Sequence, residues 1–260
     1  MVLPNSKFVA LVLATFLGMS ARTLGSAASG ALPSPAPDRT PAGNGATRSG
    51  PAACPPGMQL AQGSYCPEVE HTCKAWMDPP PYQNLRCSVY APTARCTKPR
   101  VEKRVCVDRE EHIDAGETLP TVSVSFVDAK ATCAKEGKRL CKEDEWQFAC
   151  EGEDMRPYPY GFNRDSSACN IDQTKLGTIG NLRDLRAPAT AFERCLSPFG
   201  VHNMTGNVDE WVERDGAHPS VLHGGWWLPG RNRCRATTAE HGPDYTAKQV
   251  GFRCCKDAAP

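Results

Sequence analysis

The stretch SFVDAKATCAKEGKRLCKEDEWQFACEG, residues 125–152, carries two helices almost back to back and three cysteines that must find partners elsewhere in the chain. Ser125 followed by Asp128 is a capping-box-like start, Ala129 and Cys133 share a face at four-residue spacing, and Gly137 supplies a stop. These signals predict a helix from about Phe126 to Glu136. Glu143, Asp144 and Glu145 then place negative charge in a first turn, Trp146, Ala149 and Cys150 form one apolar face, and Gly152 ends a second helix. Lys142, at the N-cap of that helix, has no side-chain acceptor, which forgoes roughly 1 kcal/mol of capping.

Moving outward toward the C-terminus, residues 163–198 are rich in Gly, Asn, Asp and Thr and read as long loops. Arg231, Arg233 and Arg235 alternate with Asn232, Cys234 and Ala236, the period of a strand with arginines on one face. Gly251 to Cys255 reads as the last strand, in which Cys254 and Cys255 point to opposite faces and so take different partners. Toward the N-terminus, residues 54–108 hold six cysteines and the run Pro79, Pro80, Pro81, and read as loop-rich and crosslinked. Residues 29–53 are mostly Ala, Pro, Gly, Ser and Thr with only Leu32 as a large aliphatic, the composition of a flexible linker. Residues 1–28 carry Lys7, an apolar run from Phe8 to Met19 and then small residues, which reads as a cleaved signal peptide. The run is shorter than the ~20 residues that span a bilayer. One folded domain, 54–256, remains.

The composition narrows the class. Of 260 residues 40% are hydrophobic and 23% charged, a globular balance, and a formal charge of +1 provides no field to attract nucleic acid or an anionic membrane. Fourteen cysteines, all after residue 53, imply an oxidising compartment, hence export to the periplasm or the cell exterior and an extracellular or periplasmic partner.

Six short motifs then occur in a telling order: GKRL (137–140), EDEW (143–146), YPYG (158–161), GNVDEW (206–211), HGGW (223–226) and GFRC (251–254). In this order they resemble the formylglycine-generating enzyme family, the sulfatase-modifying factors, over nearly all of residues 54–255. The resemblance implies an α+β, C-type-lectin-like fold that is loop-rich and disulfide-stapled, with two helices packed on antiparallel strands.

The enzymes of this family hold copper(I) on a cysteine pair and use oxygen to convert a substrate cysteine to formylglycine; soft thiolates suit that ion. The matching stretch here, residues 224–233, reads GGWWLPGRNR and contains no cysteine. No copper is therefore expected. Iron, used by relatives that make sulfoxides of the ergothioneine type, is not expected either, because His71, His112, His202, His218, His223 and His241 include no HisxxxHis pair. The two readings left open are a non-oxidase binding or structural module and an enzyme of unassigned reaction using the same groove.

Further residues are nominated by the resemblance. Asn203, Gly206, Val208 and Glu210 fall on the family's calcium segment, where two side-chain oxygens and two carbonyls converge on the ion. The bland alternative is a turn whose Asn and Glu satisfy backbone donors. Asn203-Met-Thr is also a glycosylation sequon. Asn170 and Ile171 match a second calcium site that lacks its carboxylate here: Asn181 and Arg183 occupy the later places, leaving Asp172 or Asp184 as substitutes. Trp226, Trp227, Arg231, Arg233 and Arg235 make an anion- or sugar-binding groove if they line the vacated active site, and a solvated strand face if they do not. Asp209, Glu210 and Glu213 are candidate partners for those arginines. The family's helix and strand cysteines imply Cys133 with Cys254 and Cys150 with Cys234. Cys141 stands where the family usually has proline and pairs with the second unusual thiol, Cys255. Cys169 and Cys195 then remain for one another, and the six from Cys54 to Cys106 pair among themselves.

Overall fold

The computed structural model describes residues 53–81, 86–178 and 180–260. The expected signal peptide and nearly all of the expected linker lie outside the described residues. The elements run β1 (Met58–Tyr65), β2 (Val69–Glu70), β3 (Cys73–Trp76), β4 (Cys87–Tyr90), β5 (Arg95–Cys96), β6 (Val101–Asp108), α1 (Phe126–Lys135), β7 (Arg139–Leu140) and α2 (Glu143–Glu151). They continue with β8 (Gly177–Thr178), β9 (Asn181–Leu182), β10 (Asp209–Glu213), β11 (Ser220–His223), β12 (Thr237–Thr238), β13 (Val250–Phe252) and β14 (Cys254–Asp257).

Two four-stranded sheets dominate, in the orders β1-β6-β14-β7 and β12-β11-β10-β13. All neighbours in them are antiparallel except β10 and β13, which run parallel. Each helix fills the space its apolar face dictates. Phe126, Ala129 and Cys133 of α1 pack with Trp211, Leu222 and Phe252, while Trp146, Phe148 and Ala149 of α2 pack with Val105, Val107, Val212 and Val221.

The helix ends fall where local chemistry puts them. The Ser125 hydroxyl accepts from the Asp128 N–H at 3.1 Å. At α2 the Lys142 side chain makes no cap bond, but the Glu145 carboxylate accepts from the Lys142 backbone N–H at 3.0 Å and supplies half of a capping box. Gly152 closes α2 at φ +65°, and a Cβ there would lie 2.7 Å from Pro198 Cγ, so a larger residue would be excluded on both counts.

Three expectations need correction. Residues 54–108 are not mainly loop: β1 and β6 pair over eight positions each, from Met58 opposite Asp108 to Tyr65 opposite Val101. Their alternation is hidden because the first half of β6, with Glu102, Lys103 and Arg104, is largely exposed and only its second half is buried. Residues 231–235 are not a strand. Side-chain bonds hold this segment in place of a ladder: Asn232 donates to the Trp226 carbonyl and accepts from Arg164 at 3.2 Å. Finally, Gly251 to Cys255 is split at Arg253, with β13 in one sheet and β14 in the other. The guanidinium of Arg253, fully buried, sits at this crossing.

All fourteen cysteines are in disulfides: 54–106, 66–96, 73–87, 133–254, 141–255, 150–234 and 169–195. Cys254 therefore ties the final strand to α1, whereas Cys255, on its other face, ties it to Cys141, between β7 and the N-cap of α2. No helix among the described residues is long and apolar enough to cross a membrane.

Candidate functional site

The chain leaves β11 through Gly224 and Gly225 and folds back over the start of β10, because Glu210 stands opposite His223 in the ladder. Gly225 adopts φ +71°, and a Cβ there would lie 2.8 Å from Asn232 Nδ2. This turn aims the Gly225 N–H at Asp209 Oδ1, 3.2 Å away. Above them opens a cavity of about 110 Å³ lined by Asp209, Trp226, Arg231, Asn232, Thr237 and Thr238.

Asp209 is only 8% exposed, and the Gly225 N–H is its one hydrogen-bond partner among the described residues. Burial, with the adjacent charge of Glu210, pushes its carboxyl up to about 7. The expected pairing of Asp209 with the arginine segment does not form.

The tryptophan and arginine residues nominated as one groove are dispersed. Only Trp226 and Arg231 line this cavity; Trp227, 1% exposed, lines another with Leu182, Arg183 and Lys248. Arg233 donates to the Tyr90 hydroxyl at 2.9 Å. Arg235 forms a two-pronged pair with Glu151, at 2.5 and 2.8 Å, and also donates to the Cys66 and Pro67 carbonyls. Burial drives the Glu151 carboxyl upward and Arg235 opposes it, so this arginine is occupied in neutralising a buried acid. Its charge is not available to a ligand, and the anion-binding reading loses most of its cations.

A second polar centre lies in the interior, beneath the segment nominated for calcium. Glu210 is held by Arg253 at 2.6 and 2.7 Å and by Trp146 Nε1 at 2.7 Å, so both carboxylate oxygens already accept hydrogen bonds. Glu111, which the sequence did not single out, is buried beside it. It accepts from Asn207 Nδ2 at 2.7 Å, Asn203 Nδ2 at 3.3 Å and the Val208 N–H at 3.3 Å. Burial, reinforced by the charge of Glu210, pushes the Glu111 carboxyl up to about 8. Asn203, 2% exposed, has a buried Oδ1 without a partner. An orphaned oxygen beside two buried acids that share one nearby cation, Arg253, fits a further cation. The same burial closes Asn203 to glycosylation in the folded chain.

The second nominated site offers less. Asn170 Oδ1 accepts from Gln173 at 3.1 Å, its amide donates to Leu185 O and Asn207 Oδ1, and its carbonyl accepts from the Asn207 N–H. Ile171 is buried in a small apolar cluster with Cys169 and Cys195. Asp172 is clamped between Arg164 and Arg86, while Asn181 lies in the exposed β9. These oxygens are already used, and the residues do not fit an ion. Nor does any described cysteine offer a thiolate, since all are bonded; in the one convergent group, His112, Glu136 and Cys254, the sulfur belongs to a disulfide.

Neither Glu111 nor Asp209 carried a signal for burial. Glu111 follows Arg109 and Glu110 in a charged run, and Asp209 precedes a glutamate and a tryptophan, so each reads as a surface acid until the partners across the sheets are known.

Residues 58–258 match the model of the sulfatase-modifying factor enzyme 1-like domain. The inactive Cα-formylglycine-generating enzyme 2 of Mus musculus is 33% identical over 154 residues, covering 54% of this chain and 50% of that protein. The formylglycine-generating enzyme of Mus musculus is 30% identical over 169 residues, covering 54% and 45%. The chain thus spans about half the length of the curated relatives it matches. Among solved structures, PvdO from Pseudomonas aeruginosa superposes with a TM-score of 0.50 at 17% identity, covering 77% of this chain and 94% of that one, which is a likeness of fold alone.

Proposed function

The chain belongs to the sulfatase-modifying factor enzyme 1-like family, and from that premise we propose that it is a binding or structural module of this fold without the family's cysteine-oxidase chemistry. The carrying observation is the donor set: residues 224–233 contain no cysteine, and every cysteine of the domain is in a disulfide. Copper(I) would find no thiolate there. A similar mouse protein whose name calls it inactive is in keeping with a non-catalytic role. Copper(I), oxygen and a CysxProxArg peptide given to the oxidised protein are expected to yield no aldehyde by mass spectrometry; formylglycine above a no-protein control would overturn the reading.

Seven disulfides and the apolar run from Phe8 to Met19 support export, with 1–28 as a signal peptide, 29–53 as a linker and 54–256 as the working domain. Calcium is part of the same proposal. Asn203 Oδ1 and the carbonyls of Gly206 and Val208 would hold it, with the Glu111 carboxylate supplying charge beside Glu210. Bound calcium would neutralise buried acid and fix the turn into β10. A ligand bound only by the native state adds about 2.7 kcal/mol at a hundredfold excess over Kd. Melting in millimolar calcium should therefore exceed melting in chelator, and equal values would sink this part.

A further inference from the structure

We propose that the cavity over Asp209 is a binding site for a primary ammonium group, with Asp209 as its counter-ion and Trp226 as its apolar wall. The proposal rests on the reading of this domain as a binding module and names the ligand chemistry. Its geometry is that of a half-made site. The carboxylate of Asp209 is buried, spends one oxygen on the Gly225 N–H, and faces the cavity with no cation beside it among the described residues. A buried carboxyl left in this state costs free energy that a positive ligand group would recover.

The surrounding groups select among cations. Calcium requires six or more oxygens with several charged ones among them, and Asp209 is the one carboxylate in this lining. An ammonium is a compact donor of three hydrogen bonds, which the free Asp209 oxygen and the polar atoms of the surrounding lining can accept. Trp226, partly exposed on the wall, adds an aromatic face suited to a cation. The volume, about 110 Å³, lies well below that of sites for whole drug-sized molecules and admits the end of a chain.

The neighbouring charges leave Asp209 as the anion in play. Glu210, the next residue, is neutralised by Arg253, and His223 on β11 is paired with Glu143 at 2.8 Å. Arg233 and Arg235 are engaged elsewhere, and Arg231 is exposed at the rim.

The test uses the full oxidised chain titrated calorimetrically with Nα-acetyl-lysine N-methylamide, with propylamine, and with the Nε-acetylated lysine analogue as a neutral control. Saturable binding of an amine is expected with Kd of about 1 mM or tighter. Asp209→Asn, which keeps an acceptor for Gly225, should weaken it at least tenfold. Trp226→Ala, on the partly exposed wall, should weaken it several-fold and serves as a second variant if the first does not fold. Preference for the lysine derivative assigns a polypeptide side chain as the source, and equal binding of propylamine assigns a small amine. No saturation by either amine, equal binding of the neutral analogue, or undiminished binding by both variants would overturn the proposal. Formylglycine formation beside intact amine binding would instead remove the non-oxidase reading alone.

Discussion

Replacing Glu210 by Gln changes few atoms and should destabilise the domain by about 3–5 kcal/mol. The magnitude follows from what surrounds the carboxylate. Arg253 is fully buried and makes five hydrogen bonds: two to Glu210 at 2.6 and 2.7 Å, and three to the carbonyls of Asp108, Arg109 and His202 at 3.0 to 3.4 Å. The three carbonyls are neutral, so Glu210 is the only anion bonded to this guanidinium. In the variant the charge of Arg253 stays buried without its bonded counter-ion, leaving only the more distant field of Glu111 and Glu110. One carboxylate oxygen also becomes an amide donor, which in either orientation faces an Arg253 N–H and in one of them the Trp146 N–H as well, donor against donor. The loss should be large because Arg253 is also the joint where the chain passes from β13 to β14, each in a different sheet. Urea unfolding with the disulfides intact is the appropriate assay, read as a lower midpoint at unchanged slope. The double variant Glu210→Gln, Arg253→Met should recover part of the loss, since no unpaired charge remains. A loss below about 1 kcal/mol in the single variant would refute the reasoning, for it is the size of an ordinary exposed pair.

Further outcomes are expected. Asp209, with its carboxyl raised from 3.8 to about 7, contributes stability that is present below the unfolded value and is lost as pH rises through the folded one. The stability of Asp209→Asn relative to the native chain should therefore increase from pH 5 to pH 8, by up to about 3 kcal/mol; pH-parallel unfolding midpoints would contradict this. Removing the 141–255 bridge should cost about 2–3 kcal/mol in the chain-entropy model, because the neighbouring 133–254 bridge remains and leaves it only a ring of about ten residues to close. The measurement is a Cys141→Ala, Cys255→Ala double variant followed by its urea midpoint, and an unchanged midpoint would count against the loop argument. Glu151→Gln should destabilise by about 3 kcal/mol or more, as a fully buried partner is taken from Arg235, whereas Glu70→Gln on the exposed β2 should change stability by less than about 1 kcal/mol. Comparable effects of the two, in parallel melts, would show that burial is not what separates them.

What the sequence determined by itself was local or periodic. Ser125, Glu143 to Glu145 and Gly152 mark the ends of α1 and α2 because capping and helix-dipole contacts reach only a few residues along the chain. The opposite facing of Cys254 and Cys255 follows from the two-residue repeat of any extended backbone. The absence of cysteine from 224–233 is plain in the sequence and limits the copper chemistry before any fold is known. What only the tertiary structure decided was which charges remain unpaired. Arg231, Arg233 and Arg235 look alike in the sequence, yet one is exposed at a cavity rim, one meets Tyr90 and one neutralises Glu151, 84 residues away. Glu210 finds Arg253 at a separation of 43 residues, while Glu111 lies in the field of that arginine without a bond to it and Asp209 finds no cation among the described residues. The physical reason is that an ion pair needs two side chains within a few ångströms, and for distant residues that proximity is set by strand order and loop path, which neither spacing nor charge pattern encodes.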